Sequence, residues 1–168
     1  MKRKAKNEKR KVKSGFTLLE ILIGASIITA SFLGVLTVFD RLAKSSRAMV
    51  ELSQAGFLLE ESLEAVRTWR DSGWANLADW PVGTDYYLIW NGSRFATSTA
   101  KVFLDGKFER KIGLTAVSRD DTTKDIVPSG GTVDPNTKLA TVSVAWRSAG
   151  SDATTTQTVS AYFTNLFN

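Results

Sequence analysis

Residues 16–39 are apolar at nearly every position, and Glu20 is the only charged side chain among them. As an α-helix this run rises ~36 Å, enough to cross a hydrocarbon core of ~30 Å with some tilt. Over residues 40–70 the pattern turns amphipathic. Leu42, Met49, Leu52, Gly56, Leu59, Leu63 and Val66 recur at helical steps and predict one apolar face, while Arg41, Lys44, Glu51 and Glu61 fall on the opposite side. No proline interrupts residues 16–70, so both stretches predict a single helix of ~80 Å. The segment "RDSGW" ends it, with Gly73 suited to a left-handed cap.

After Trp80-Pro81 the period changes from helical to two. "YYLIW", Asn91-Gly92 and "SRFATS" predict a hairpin with the Asn-Gly pair in a type I′ turn, and "KVFL", Asp105-Gly106 and "KFERKIGLTAVSR" predict another. Ile112, Leu114 and Ala116 alternate with Gly113, Thr115 and Val117. Val142, Val144 and Trp146 share one face of "KLATVSVAWRS", and Val159, Ala161 and Phe163 share one face of "TTQTVSAYFTNLF". The fold class is therefore α+β: a long N-terminal helix packed on a C-terminal antiparallel sheet of four to six strands. Residues 120–137, polar and rich in Gly, Pro and Asp, read as a long solvated loop; Asp120, Asp121, Asp125 and Asp134 follow no calcium-ligand spacing.

Charge adds an orientation. The formal net charge is +5, but eight basic residues and one acid lie in residues 1–15, leaving 14 basic and 16 acidic side chains, net −2, from residue 16 onward. A basic block directly before a spanning segment predicts a single-pass protein of the cytoplasmic membrane, with its N-terminus in the cytoplasm and its head outside. Nucleic acid is not expected as a partner: the cations sit in the tail, and the body is slightly acidic. The run is too long for the apolar region of an ordinary secretory signal. Four parts follow: a basic leader over residues 1–15, a spanning helix over 16–39, an amphipathic helix over 40–72 and a β-rich head over 73–168.

Glu20 requires a reason. A carboxylate one turn inside the run can reach headgroup level and be tolerated there. The neighbouring Gly15 suggests more. A cut between Gly15 and Phe16 would create an amine at Phe16, four residues before Glu20 on the same helix face, and the carboxylate could also neutralise that amine on a parallel copy. Glycine leaves the backbone open to a protease.

"KSGFTLLEILI" after a basic leader resembles the signal of type IV pilins and type II secretion pseudopilins. "QAGFLLEESLEAVRTWRDSGWANL" is more loosely similar to minor pilins of the PilV type. The resemblance implies cleavage after Gly15 by a prepilin peptidase and N-methylation of Phe16, with Glu20 docking the subunit onto a growing filament. It further implies other pilin or pseudopilin subunits and a pilus assembly platform as partners, and a final place in an extracellular pilus or pseudopilus. Ser26, Ala30 and Gly34, spaced by four, form a stripe of small residues suited to close helix packing.

No enzyme is expected. The chain has no cysteine or histidine, and no nucleophile-elbow, phosphate-loop or metal signature occurs, so neither cofactor nor metal is expected. Trp69, Trp74, Trp80, Tyr86, Tyr87 and Trp90 read as a seam where helix meets sheet, with a carbohydrate or nucleic-acid platform as the other reading. The competing functional class is an uncleaved, membrane-anchored binding or adhesion domain, which would need neither Gly15 nor Glu20.

Overall fold

The computed structural model describes residues 15–148 and 152–166. The rest of the basic leader, residues 1–14, lies outside the described residues. The chain forms two compact units, Met1–Ser46 and Arg47–Asn168. Helix α1, Leu18–Asp71, begins in the first and ends in the second.

In the first unit α1 includes a stretch of mean hydropathy 2.2, long and apolar enough to cross a membrane, and none of it is buried. Ser26, Thr29, Ser31 and Thr37 would each place a hydroxyl in an apolar surrounding. All four donate instead to the carbonyl four residues earlier, at 2.7–2.9 Å.

In the second unit the remainder of α1 packs on an antiparallel sheet. The strands are β1 Asp85–Trp90, β2 Phe95–Ser98, β3 Phe103–Leu104, β4 Phe108–Arg119, β5 Ile126–Val127, β6 Thr132–Arg147 and β7 Thr154–Thr164. The main order is β2-β1-β4-β6-β7, with β3 and β5 added along β4. The fold is α+β as expected, with β5 as the seventh strand, formed inside the segment read as loop. β6 also starts earlier than its apolar pattern, at Thr132, where it pairs with Arg119.

Of the expected stripe, Val66 is buried and Leu59 and Leu63 pack against the core, but the fully buried face is turned from it toward the preceding positions, by up to one residue or roughly 100°. Glu51, Ala55, Ser62, Ala65 and Val66 are buried, whereas Met49 and Leu52 are 67% and 47% exposed. The sheet supplies the bulk, from Leu88, Ile112, Leu114, Val142, Val144, Trp146 and Phe163. Small helix side chains opposite these let the layers close without voids. Glu51 is consequently not on the solvent side and meets Lys107 just before β4, while Glu61 stays exposed but pairs with Arg110 of β4.

Two local features set the register. Lys107 N–H donates to the Leu104 carbonyl at 2.9 Å across Asp105-Gly106, both at positive φ, the predicted I′ hairpin. The other hairpin turns one residue later than expected. Asn91 N–H donates to Arg94 O, while the Asn91 side-chain oxygen accepts from the amides of Ser93 and Arg94. Asn91 thus braces a turn centred on Gly92-Ser93.

A bulge divides the β4–β6 ladder. Ala116 pairs with Lys138, but Val117 pairs with Asp134, so residues 135–137 have no partner on β4. The phase flips there: Val117 is buried and Ala116 exposed, the reverse of simple alternation. Pro135, which cannot donate in a ladder, occupies the irregularity. Its carbonyl accepts from Trp74 Nε1 at 3.2 Å.

Candidate functional site

At the N-terminal end of α1, Gly15, Phe16 and Thr17 precede the first helical residue. Thr17 N–H donates to Glu20 Oε2 at 3.4 Å, and Glu20 N–H donates to Thr17 Oγ1 at 3.3 Å. This is a capping box, in which two amides lacking intrahelical acceptors are satisfied reciprocally. Its signature, Thr-x-x-Glu before an apolar run, stands in the sequence as "TLLE" and was missed there as a cap. Only Oε2 of Glu20 is used; Oε1 has no hydrogen bond among the described residues. The residue is exposed. The arrangement therefore holds a carboxylate at a fixed position in the first turn and leaves one oxygen available to a cation.

Ser26, Ala30 and Gly34 are all exposed. A β-carbon added at Gly34 would meet nothing within 4 Å, so the stripe is open to a neighbour. Ser26 presents no free donor, because its hydroxyl is bonded to Leu22 O at 2.7 Å.

Polar pairs fix the helix face in the second unit. Glu51 Oε1 accepts from Lys107 Nζ at 2.6 Å; Oε2 accepts from Trp146 Nε1 at 3.2 Å and from Ser148 Oγ. The Lys107 and Ser148 bonds hold its carboxyl below the usual range against the opposing effect of burial. Arg110, buried in β4, pairs with Glu61 and reaches Leu88 O at 3.5 Å, while its Nε has no partner among the described residues. Sequence reasoning missed both clusters, since acids on an amphipathic helix ordinarily mark its wet face.

The acids of residues 120–137 hold their own hairpin together. Asp120 accepts from the amides of Thr123 and Thr122, which lower its pKa, and Asp121 accepts from Thr132 Oγ1. Asp134 pairs with Arg119 at 2.7 Å and also accepts from Thr137, and these bonds lower its pKa. No group of acids among the described residues has the arrangement of a metal site.

The aromatic residues divide. Trp69, Trp74 and Trp80 pack against the core, with ring centroids 5.1 Å apart for Trp69–Trp80 and 4.5 Å for Trp80–Tyr86. Trp90, at the end of β1, is 59% exposed, its ring edge-on to Phe95 at 5.1 Å. The seam is thus a seam on its inner side only. Between Trp69, Trp80 and the β1–β2 hairpin lies a cleft of about 770 Å³.

Comparison with protein-family models, curated proteins and solved structures gives no match.

Proposed function

We propose that this chain is a structural subunit, a minor one, of a type IV pilus or type II secretion pseudopilus. A prepilin peptidase cuts it between Gly15 and Phe16 and methylates the new amine. The subunit waits in the cytoplasmic membrane with its head outside, and the assembly platform then draws it into a filament through residues 16–39.

The observation that carries this reading is the state of Glu20. It is the one charge of residues 16–39, in the exposed apolar part of α1, held in the first turn by Thr17 with one oxygen unengaged. A carboxylate so placed is matched to the amine of a neighbouring processed chain packed in parallel. The exposed small stripe and the exposed Met49 and Phe57 further along α1 supply surface for such neighbours. The second reading, an uncleaved anchored binding domain, draws its support from the open aromatic cleft of the head.

Producing the full chain with and without an active prepilin peptidase, followed by intact-mass and N-terminal peptide analysis, separates the two. The filament reading expects a chain that begins at Phe16 and is heavier by one methyl group. A chain still carrying residues 1–15 in the presence of active peptidase overturns it.

A further inference from the structure

The cleft beside the C-terminal end of α1 is built unlike the rest of the head. Its floor is Trp69 and Trp80, inclined at 54° to each other and anchored in the core behind them. Its outer wall is Trp90, fixed by its edge-on contact with Phe95 rather than by burial. An indole left 59% exposed beside a concavity forfeits burial that the core would have rewarded. At about 770 Å³ the space lies within the roughly 300–1,000 Å³ range of small-molecule sites.

The polar groups around these rings have spare capacity. Asn76 Nδ2 makes only long contacts, 3.4 Å to Trp69 O and 3.5 Å to Ser72 Oγ, and its side-chain oxygen accepts nothing among the described residues. The Ser93 and Thr97 hydroxyls on the hairpin side make no hydrogen bond among the described residues. Arg94 serves the turn through its backbone alone, its amide donating to Asn91 Oδ1 and its carbonyl accepting from Asn91 N–H; its guanidinium has no ion pair or hydrogen bond among the described residues. It is also the single charged side chain lining the cleft.

Flat apolar surfaces, neutral donors and acceptors at their edges, and one free cation select for a ligand with an apolar face, a polar rim and a lone negative charge. A pyranose offers C–H groups on its face and hydroxyls around its edge, and a uronic acid adds one carboxylate suited to the planar guanidinium. A nucleic-acid strand also stacks on aromatic rings, but it needs a track of cations to neutralise successive phosphates, and this cleft has one in a body of net charge −2. Proline-rich peptides lie across aromatic-lined grooves as a preformed helix whose carbonyls can accept from Asn76, but they offer Arg94 no negative charge.

We propose that this cleft binds a short acidic oligosaccharide, with a sugar ring stacked on Trp90 and its carboxylate paired with Arg94. The inference is independent of how the N-terminal helix is used.

The test is titration of the full chain in detergent micelles, read by intrinsic tryptophan fluorescence and calorimetry. The probes are hyaluronan, alginate and galacturonate tetrasaccharides, neutral chitotetraose, oligodeoxythymidine and a decaproline peptide. Saturable binding of at least one acidic saccharide, roughly tenfold tighter than chitotetraose, is expected from a charge-assisted pair. Trp90→Ala should weaken it by about tenfold or more, as loss of an aromatic platform does. Arg94→Gln should abolish the preference for the acidic probe while chitotetraose binding is retained. Both side chains are exposed, so unchanged thermal unfolding of the two variants ties these losses to the cleft. Absence of saturation by all three acidic saccharides, full affinity in folded Trp90→Ala, or tighter binding of the oligonucleotide or the peptide would each overturn the assignment.

Discussion

Thr17 and Glu20 exchange two hydrogen bonds across the first turn of α1, so the one acid in the apolar run already serves the helix that carries it. That dual position separates its local role from its proposed assembly role. Glutamine at the same position can keep the capping box but carries no charge, whereas alanine loses both. We expect Glu20→Gln to retain wild-type helicity in micelles, and Glu20→Ala to weaken the first turn by about 1 kcal/mol. Both should lower incorporation into filaments by about tenfold, the scale of a lost charge contact in apolar surroundings. Circular dichroism and quantification of sheared filaments measure the two effects. Normal assembly of Glu20→Gln would show that the negative charge is dispensable.

Glu51 receives three donors at the helix–sheet junction. Glu51→Ala strands Trp146 Nε1 and Ser148 and releases Lys107. Lys107 is one-third exposed and can turn to water, so the cost falls short of that for a fully buried pair. A loss of about 2 kcal/mol is expected, seen as a lower urea midpoint at unchanged slope. Wild-type stability in this variant would mean that the junction rests on apolar packing alone.

The same carboxyl, together with Asp134, gives the head an acid limit. Both pKa values are lowered on folding, Glu51 chiefly by Lys107 and Asp134 chiefly by Arg119. Between the folded values and the ordinary value of about 4 the unfolded chain binds more protons, so stability falls with falling pH. The contribution is complete above the ordinary value and lost as pH drops through the depressed ones. Urea midpoints from neutral pH down to about pH 3 should fall less steeply in a Glu51→Gln, Asp134→Asn double variant. An equal slope in both proteins would remove these two groups from the account.

Arg110 points to the opposite outcome. It is buried with Nε unpartnered, while the carboxylate of Glu61 remains 44% exposed and can rehydrate when released. Arg110→Met should therefore be neutral or stabilising by about 1 kcal/mol in thermal unfolding. A loss above roughly 2 kcal/mol would show that the pair with Glu61 outweighs the cost of desolvating the guanidinium.

The sheet was more legible in the sequence than the helix face. Val142, Val144 and Trp146 alternate with the small neighbours Thr141, Ser143 and Ala145 because β6 is an interior strand, between β4 and β7, with one covered face. A period of two leaves a single choice of phase there. The helix offered two interleaved stripes one residue apart. The one through Met49 and Leu52 is larger and more apolar, yet it reaches the core only at Leu59, Leu63 and Val66, while the one through Ala55, Ser62 and Ala65 is fully buried. Hydrophobicity ranks the first stripe higher. Fit against the large residues of β4 and β6 selects the second, and that fit exists only once the layers meet. The phase flip at Val117 is hidden for a similar reason, since a bulge depends on the partner strand. At the candidate site, Glu20 and the small stripe stood out by composition, and the cap on Glu20 was readable from Thr17. The cleft was not readable, because Trp90 and Arg94 differ from seam residues only in what the fold leaves uncovered.

The four hydroxyls of residues 21–39 have a last consequence. Ser26, Thr29, Ser31 and Thr37 are each engaged by their own helix, so residues 21–39, past Glu20, ask nothing polar of their surroundings. Exchanging acyl chains for the flanks of other apolar helices would leave every one of those bonds intact. Past Glu20, such a rod is indifferent to which medium it occupies on grounds of polarity. Past that carboxylate, contour, the depth to which a neighbour can settle along Gly34 and Ala30, decides how closely the helices pack.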